Sequence, residues 1–170
     1  MTLAIATSDS ANHFVDIQID TLADCQALAE LLASTITTPM TVALSGTLGA
    51  GKTQFTRFFA MALGAPSESI SSPTFMLVHQ YPGTPIVFHL DAYRIGDEEE
   101  MLELGIEEMF ETNAVTIIEW ADRFPALLPS NFLEIHIEIG DQETCRRVQL
   151  KAVGKKAQAV FGKLLPRLSV

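Results

Sequence analysis

The chain has 170 residues, 48% hydrophobic and 19% charged, a balance that suits one well-buried globular domain over residues 1–170 and excludes a disordered chain. No apolar run approaches the ~20 residues a membrane helix needs, and no Lys or Arg precedes Lys52, so neither a membrane span nor a secretory signal is read from it. The net charge of −10 is uneven, with four Lys and Arg against all 21 Asp and Glu in residues 1–144 and seven against none in residues 145–170. Such an acidic body repels a phosphate backbone and excludes extensive independent nucleic-acid binding.

From the N-terminus, His13 to Ile19 alternates as a strand over Val15, Ile17 and Ile19. Thr21 with Asp24 three residues on resembles a capping box, opening a helix whose apolar face is expected to run Leu22, Cys25, Ala29 and Leu32. Pro39 ends that segment, and Thr41 to Leu44 is a short apolar strand entering a glycine-rich loop. From Lys52 the pattern is helical through Phe55, Phe58, Phe59 and Leu63, with Gly64 as its stop. A Ser/Pro loop from Pro66 to Thr74 and an apolar stretch from Phe75 to Tyr81 follow.

Pro82-Gly83 is a turn signal before the strand Ile86 to Leu90, which ends at Asp91. Asp97, with Glu100 three on, caps a short acidic helix, and the strand Val115 to Ile118 ends at Glu119-Trp120. Leu133 to Ile139 alternates as a half-exposed strand, with Val148, Leu150 and Ala152 as its hairpin partner. A last helix is expected from Lys155 to Leu165, ended by Pro166. The fold class is therefore α/β: a mixed, mostly parallel sheet with helices on both faces and an antiparallel C-terminal hairpin. Cys25 and Cys145 lie far apart without metal-ligand spacing, which reads as free thiols in the cytoplasm. The basic end reads as an amphipathic segment with a solvated basic face, or as a surface for RNA or an acidic partner.

Gly46, Thr47, Leu48, Gly49, Ala50, Gly51, Lys52 and Thr53 satisfy G-x-x-x-x-G-K-[ST] in full, between a strand and a helix. Glycines let the backbone curl around phosphate with its amides inward, and the helix N-terminus adds its own amides and dipole. Lys52 meets the β- and γ-phosphates, and the Thr53 hydroxyl is a ligand for Mg²⁺. This predicts a nucleoside triphosphate with Mg²⁺, ATP above all. Two carboxylates, Asp91 and Glu119, stand at strand ends where an open α/β sheet faces its ligand. Either fits metal binding or orientation of the attacking water, and either alone would also serve as a helix cap.

Thr74 sits where a switch-type NTPase senses the γ-phosphate, though a Ser/Pro turn explains it too. Trp120 reads first as core packing, with partner contact or base stacking as the sharper option. His89 alternates with apolar neighbours and reads as a core or supporting residue, not a ligand. A small-molecule kinase needs several arginines at the transferred phosphate, and only Arg57, Arg94 and Arg123 lie outside the basic end. A nucleotide-dependent binding switch with negligible turnover is the other alternative.

The P-loop with Phe55 and Arg57, Ser72-Pro73-Thr74, His89 to Arg94, the Asp97 to Gly105 stretch with Ile106, and Ile118-Glu119-Trp120 together resemble the TsaE (YjeE) family over roughly residues 41–139. The resemblance implies a bacterial ATPase subunit of the system that makes threonylcarbamoyladenosine beside the tRNA anticodon. It further implies weak ATP hydrolysis by the chain alone and TsaD and TsaB proteins as partners; the acidic body of the chain then sets contact with tRNA through those partners only. By position, Lys52 and Thr53 would bind phosphate and Mg²⁺, Thr74 would be the switch threonine and Asp91 the switch-like aspartate. Glu119 would be the metal-side carboxylate and Trp120 its functional neighbour. Thr47 departs from the acidic or amide residue usual in the family.

Overall fold

The computed structural model describes residues 3–37, 39–67, 70, 76–142 and 144–168. Its core is one eight-stranded sheet in the order β1-β2-β8-β7-β3-β6-β5-β4. The strands are β1 (Ala4–Asp9), β2 (Phe14–Ile19), β3 (Met40–Gly46), β4 (Val78–Tyr81), β5 (Ile86–Asp91), β6 (Ala114–Glu119), β7 (Phe132–Ile139) and β8 (Arg146–Val153). The helices are α1 (Leu22–Thr35), α2 (Lys52–Ala62), α3 (Glu98–Glu103), α4 (Ile106–Glu111) and α5 (Lys155–Leu168).

The expected mixed sheet is present, with parallel pairing in its centre, where β7, β3, β6 and β5 adjoin. Both flanks are antiparallel, β1-β2-β8 on one side and β4 on the other. β3 and β6 are buried along their whole length because helices cover both faces, which is why they read as unbroken apolar runs. Val42, Leu44, Val115 and Ile117 join the core under α1, α2 and α5. Ala43 and Ile118 face the smaller core that holds Met101 of α3 and Ile106 of α4. β7 and β8 alternate instead, with Leu133, Ile135, Ile137, Val148 and Leu150 inward.

Four elements differ from the sequence reading. The Thr21 capping box forms, but Leu22 is 62% exposed and α1 buries Leu28, Ala29, Leu32 and Ala33. Leu22 lines a recess beside Ile19 at the end of β2, and the buried stripe begins only at Leu28. Pro166 does not end α5, which runs to Leu168. Leu168 is buried, and Arg167 donates to Thr35 Oγ1 at 2.9 Å, so tertiary contacts carry the last turn past the missing amide. β1 and α4 have no counterpart in the sequence reading: β1 has no clean apolar period, and α4 is only six residues long, too short for its Ile106, Met109 and Phe110 to stand out as a helical face.

Within α2, Phe55 and Phe59 are fully buried and stack on each other at 6.0 Å. Burying each contributes about 1.5–3 kcal/mol, which anchors the helix whose first turn follows the glycine loop.

Candidate functional site

The parallel register brings the carboxyl ends of the central strands level. Leu44 and Asp91 both pair with Glu119, so the loop after β3 opens beside both acids. Within that loop Gly46, Gly49 and Gly51 have φ of 129°, 79° and 105°. Gly46 has a second constraint, since a Cβ there would lie 2.0 Å from the Ile137 carbonyl oxygen of β7. Around Gly49 and Gly51 nothing lies within 4 Å of such a Cβ, so only their backbone conformation calls for glycine.

The loop carbonyls are held by two cations. Lys52 Nζ donates to Gly46 O at 2.8 Å and Thr47 O at 2.9 Å. Arg146 of β8 donates from Nε to Ala50 O at 2.8 Å. In a trans peptide the N–H points opposite to the C=O, so these bonds turn the amides of Thr47, Leu48 and Gly51 the other way. The first turn of α2 has neither a side-chain cap nor an acid. Its orphan amides and the helix dipole are therefore available to an anion. Lys52 is 5% exposed and lies 3.6 Å above the Trp120 ring. Burial pulls its ammonium pKa below the ordinary lysine value, against the opposing charges of Glu119, Asp122 and Asp91. A cation parked on carbonyl oxygens is a suitable counter-charge for phosphate oxygens.

Thr53 Oγ1 donates to Glu119 Oε2 at 2.8 Å. Glu119 is 2% exposed, and its other oxygen, Oε1, lies 2.8 Å from His89 Nε2. His89 Nδ1 in turn lies 3.0 Å from the Tyr81 hydroxyl. Asp91 accepts from the Tyr93 amide at 3.1 Å, capping the turn Ala92–Arg94. Asp91 therefore caps a turn and also lines the cleft.

Leu48, Gly49, Gly51, Lys52, Thr53, Asp91, Glu119 and Trp120 line one cavity of about 470 Å³, together with Gln54, Tyr93 and Arg94. Thr47 is exposed on the loop, while Ala50 is buried beneath it. Thr74 lies outside the described residues. Beyond the loop, toward β8, lies a separate apolar recess walled by Ile19, Cys25, Phe55 and Val148, with Gln54 and Arg146 at its edge.

The fold and the sequence have counterparts among known proteins. The family model described as "Threonylcarbamoyl adenosine biosynthesis protein TsaE" matches residues 19–148. The chain belongs to the TsaE family.

Among its relatives, the tRNA threonylcarbamoyladenosine biosynthesis protein TsaE of Bacillus subtilis is 36% identical over 143 residues, covering 83% of this chain and 87% of the relative. The Haemophilus influenzae TsaE is 30% identical over 158 residues, covering 90% and 98%. A crystal structure of Bacillus subtilis YdiB superposes with a TM-score of 0.75 at 28% identity, covering 91% of this chain and 95% of that one.

In this TsaE-family chain, Trp120 is half-buried, packs against the smaller core and also lines the cleft. It takes the left-handed conformation, φ 59°, an outlier for a bulky residue and a place where strain is stored. Tyr93 packs against it at 5.0 Å. Arg123 donates to the carbonyls of Ala92 and Tyr93, tying the turn after β5 to the turn after β6. His89 is 1% exposed, in keeping with the reading of it as a core residue.

Sequence reasoning missed Tyr81, Tyr93 and Arg146. Tyr81 had a legible signal, since a hairpin around Pro82-Gly83 sets it diagonally across from His89. Arg146 had none, being 96 residues from the carbonyl it binds. Other basic side chains of the C-terminal segment also have partners: Arg147 pairs with Asp16 and Lys151 approaches Glu134. Lys155, Lys156 and Lys163 lie on the exposed face of α5. Among the described residues no helix is long and apolar enough to cross a membrane.

Proposed function

We propose that this chain binds ATP with Mg²⁺ in the cleft between the glycine loop and the two strand-end acids, and hydrolyses it in support of the threonylcarbamoyladenosine transferase complex. The observation that carries the reading is the Thr53–Glu119 contact at the first turn of α2. A hydroxyl and a carboxylate at that place form a hard-oxygen pair suited to Mg²⁺, which usually takes one or two protein ligands and completes its shell with phosphates and water.

The loop amides of residues 47–53 and Lys52 hold the β- and γ-phosphates, and Lys52 exchanges the Gly46 and Thr47 carbonyls for phosphate oxygens. Bound Mg²⁺ would neutralise charge on the phosphates. Thr53 and Glu119 hold it. Asp91, whose carboxylate lines the same cavity, orients the attacking water. Trp120 packs over Lys52 and excludes solvent from the phosphate end. The apolar recess beside Gln54 and Arg146 suits the nucleobase, a flat and mostly apolar group.

Arg123 is occupied in holding backbone carbonyls, and Arg94 is the one arginine among the described cleft-lining residues. That count supports hydrolysis over phosphoryl transfer to a small molecule. The partners are proteins of the TsaD and TsaB type, tRNA is met only through them, and the setting is the cytoplasm, where free cysteines such as Cys25 and Cys145 persist.

Phosphate release from ATP and from GTP, measured with and without the two partner proteins, tests the reading. Weak ATP turnover that rises with the partners is expected. Turnover that demands a small-molecule acceptor, or none under any condition, refutes it.

A further inference from the structure

One oxygen of Glu119 faces Thr53, and the other is held from behind by side chains that phosphate chemistry does not require. We propose that His89 and Tyr81 are positioning residues that lock the Glu119 carboxylate so that Oε2 points to Thr53 and the metal position. This rests on the reading of Thr53 and Glu119 as the metal-side pair. Three neighbouring strands contribute one residue each: Tyr81 from β4, His89 from β5 and Glu119 from β6. All three are at most 2% exposed, so water does not substitute for the bonds they make to one another.

The direction of the hydrogen bonds follows from the groups at the two ends. An ionised carboxylate has no proton to give, so His89 Nε2 must carry the hydrogen that lies between it and Glu119 Oε1. In a neutral imidazole the other nitrogen, Nδ1, is then an acceptor and takes the Tyr81 hydroxyl hydrogen. Burial, with Glu119 as the lesser cause, pushes the Tyr81 phenol up to about 12, so it retains the proton it donates. The result is a one-way series, Tyr81 O–H to His89 Nδ1 and His89 Nε2–H to Glu119 Oε1. With Oε1 satisfied from behind, rotation of the carboxylate away from Thr53 would strand a buried acceptor. Outer partners of this kind orient metal ligands, and losing one weakens metal binding about 10–100-fold.

Two measurements test this. The first is the ¹⁵N–¹H long-range spectrum of the imidazoles in the nucleotide-free full chain at neutral pH, with His89 assigned from a His89→Gln variant. A hydrogen on Nε2 is expected for His89. A ring with its only hydrogen on Nδ1 overturns the proposal, and this readout is independent of whether the chain binds ATP at all. The second is binding of a fluorescent ADP analogue as Mg²⁺ is titrated. His89→Gln keeps a donor near the Nε2 position and should leave the Mg²⁺ half-saturation within about threefold, whereas His89→Leu should raise it about tenfold or more. Affinity without Mg²⁺ should be unchanged in both.

Equal shifts in the two variants, or no shift in either, would assign His89 to packing alone. Should His89→Leu fail to fold, Tyr81→Phe takes its place. It retains the ring and should shift the His89 Nδ1 resonance by removing its hydrogen-bond donor while the hydrogen stays on Nε2, and an unaltered imidazole spectrum in that variant would remove Tyr81 from the series. If wild type binds no nucleotide, the functional reading fails and the tautomer alone decides the positioning role.

Discussion

Replacing Gly46 by alanine separates two reasons for a glycine at the start of the loop. If Gly46 matters only for phosphate, the nucleotide-free protein should barely notice the change. The structure argues otherwise, because the new Cβ would stand 2.0 Å from the Ile137 oxygen and 2.9 Å from its carbonyl carbon, on a backbone with φ of 129°. The conformation alone costs about 1–3 kcal/mol for a residue with a side chain. The contact adds to this, since β3 and β7 must part at the pair Gly46–Ile137 to relieve it. We expect a loss of about 3 kcal/mol or more, which at this chain length lowers Tm by roughly 6–12 °C. Gly49→Ala is the control, with φ of 79° and nothing within 4 Å. It should cost only about 1–2 kcal/mol for the left-handed conformation, or roughly 2–8 °C. Both are read by far-UV circular dichroism melts without nucleotide. If the two variants melt at the same temperature, the proposed β3–β7 clash is wrong.

Further outcomes follow from the same geometry. Lys52→Ala should abolish ATP binding in calorimetry while the fold persists, since Lys52 is the cation that the loop itself supplies; retained affinity would refute the site. Glu119→Ala or Asp91→Ala should lower phosphate release by ~10²-fold or more, and unchanged turnover in both would return these acids to capping and packing. Thr21→Ala removes the capping box of α1 and should cost about 1 kcal/mol, roughly 2–4 °C in Tm. Burial raises the Cys25 thiol from 9.0 to about 11 and the Tyr81 phenol from 10.0 to about 12. Folding therefore favours their neutral forms, so the stability linked to them is intact below pH 9 and is lost as pH rises through 11 and 12. Urea midpoints across pH 8–12 should fall accordingly, and less steeply in Tyr81→Phe; an identical slope in that variant would contradict the buried phenol.

Much of the site was legible in the chain because its chemistry is local. Gly46 to Thr53 is a contiguous motif whose glycines, lysine and threonine are dictated by backbone curvature and charge. The strands that carry Asp91 and Glu119 are equally legible, because a strand covered on both faces must be apolar throughout. α1 shows where such reading stops. Its cap at Thr21 is a bond between residues three apart and was read correctly, while the exposure of Leu22 depends on how the helix packs on the sheet. Pro166 is a similar case, since the local rule against proline yields to the burial of Leu168.

By itself, then, the sequence determined that a strand, a phosphate-type loop and a helix follow one another, and that two acids end apolar strands. The tertiary structure decided what those acids do relative to the loop. Glu119 meets Thr53 on one side and His89 on the other, whereas Asp91 also caps a turn. It decided as well that Arg146 reaches back to Ala50 across 96 positions. The reason is physical: propensity, capping and motif chemistry act over a few neighbouring residues. Which oxygen of a carboxylate faces which group is set by strand register and packing, and these join segments that the chain keeps far apart.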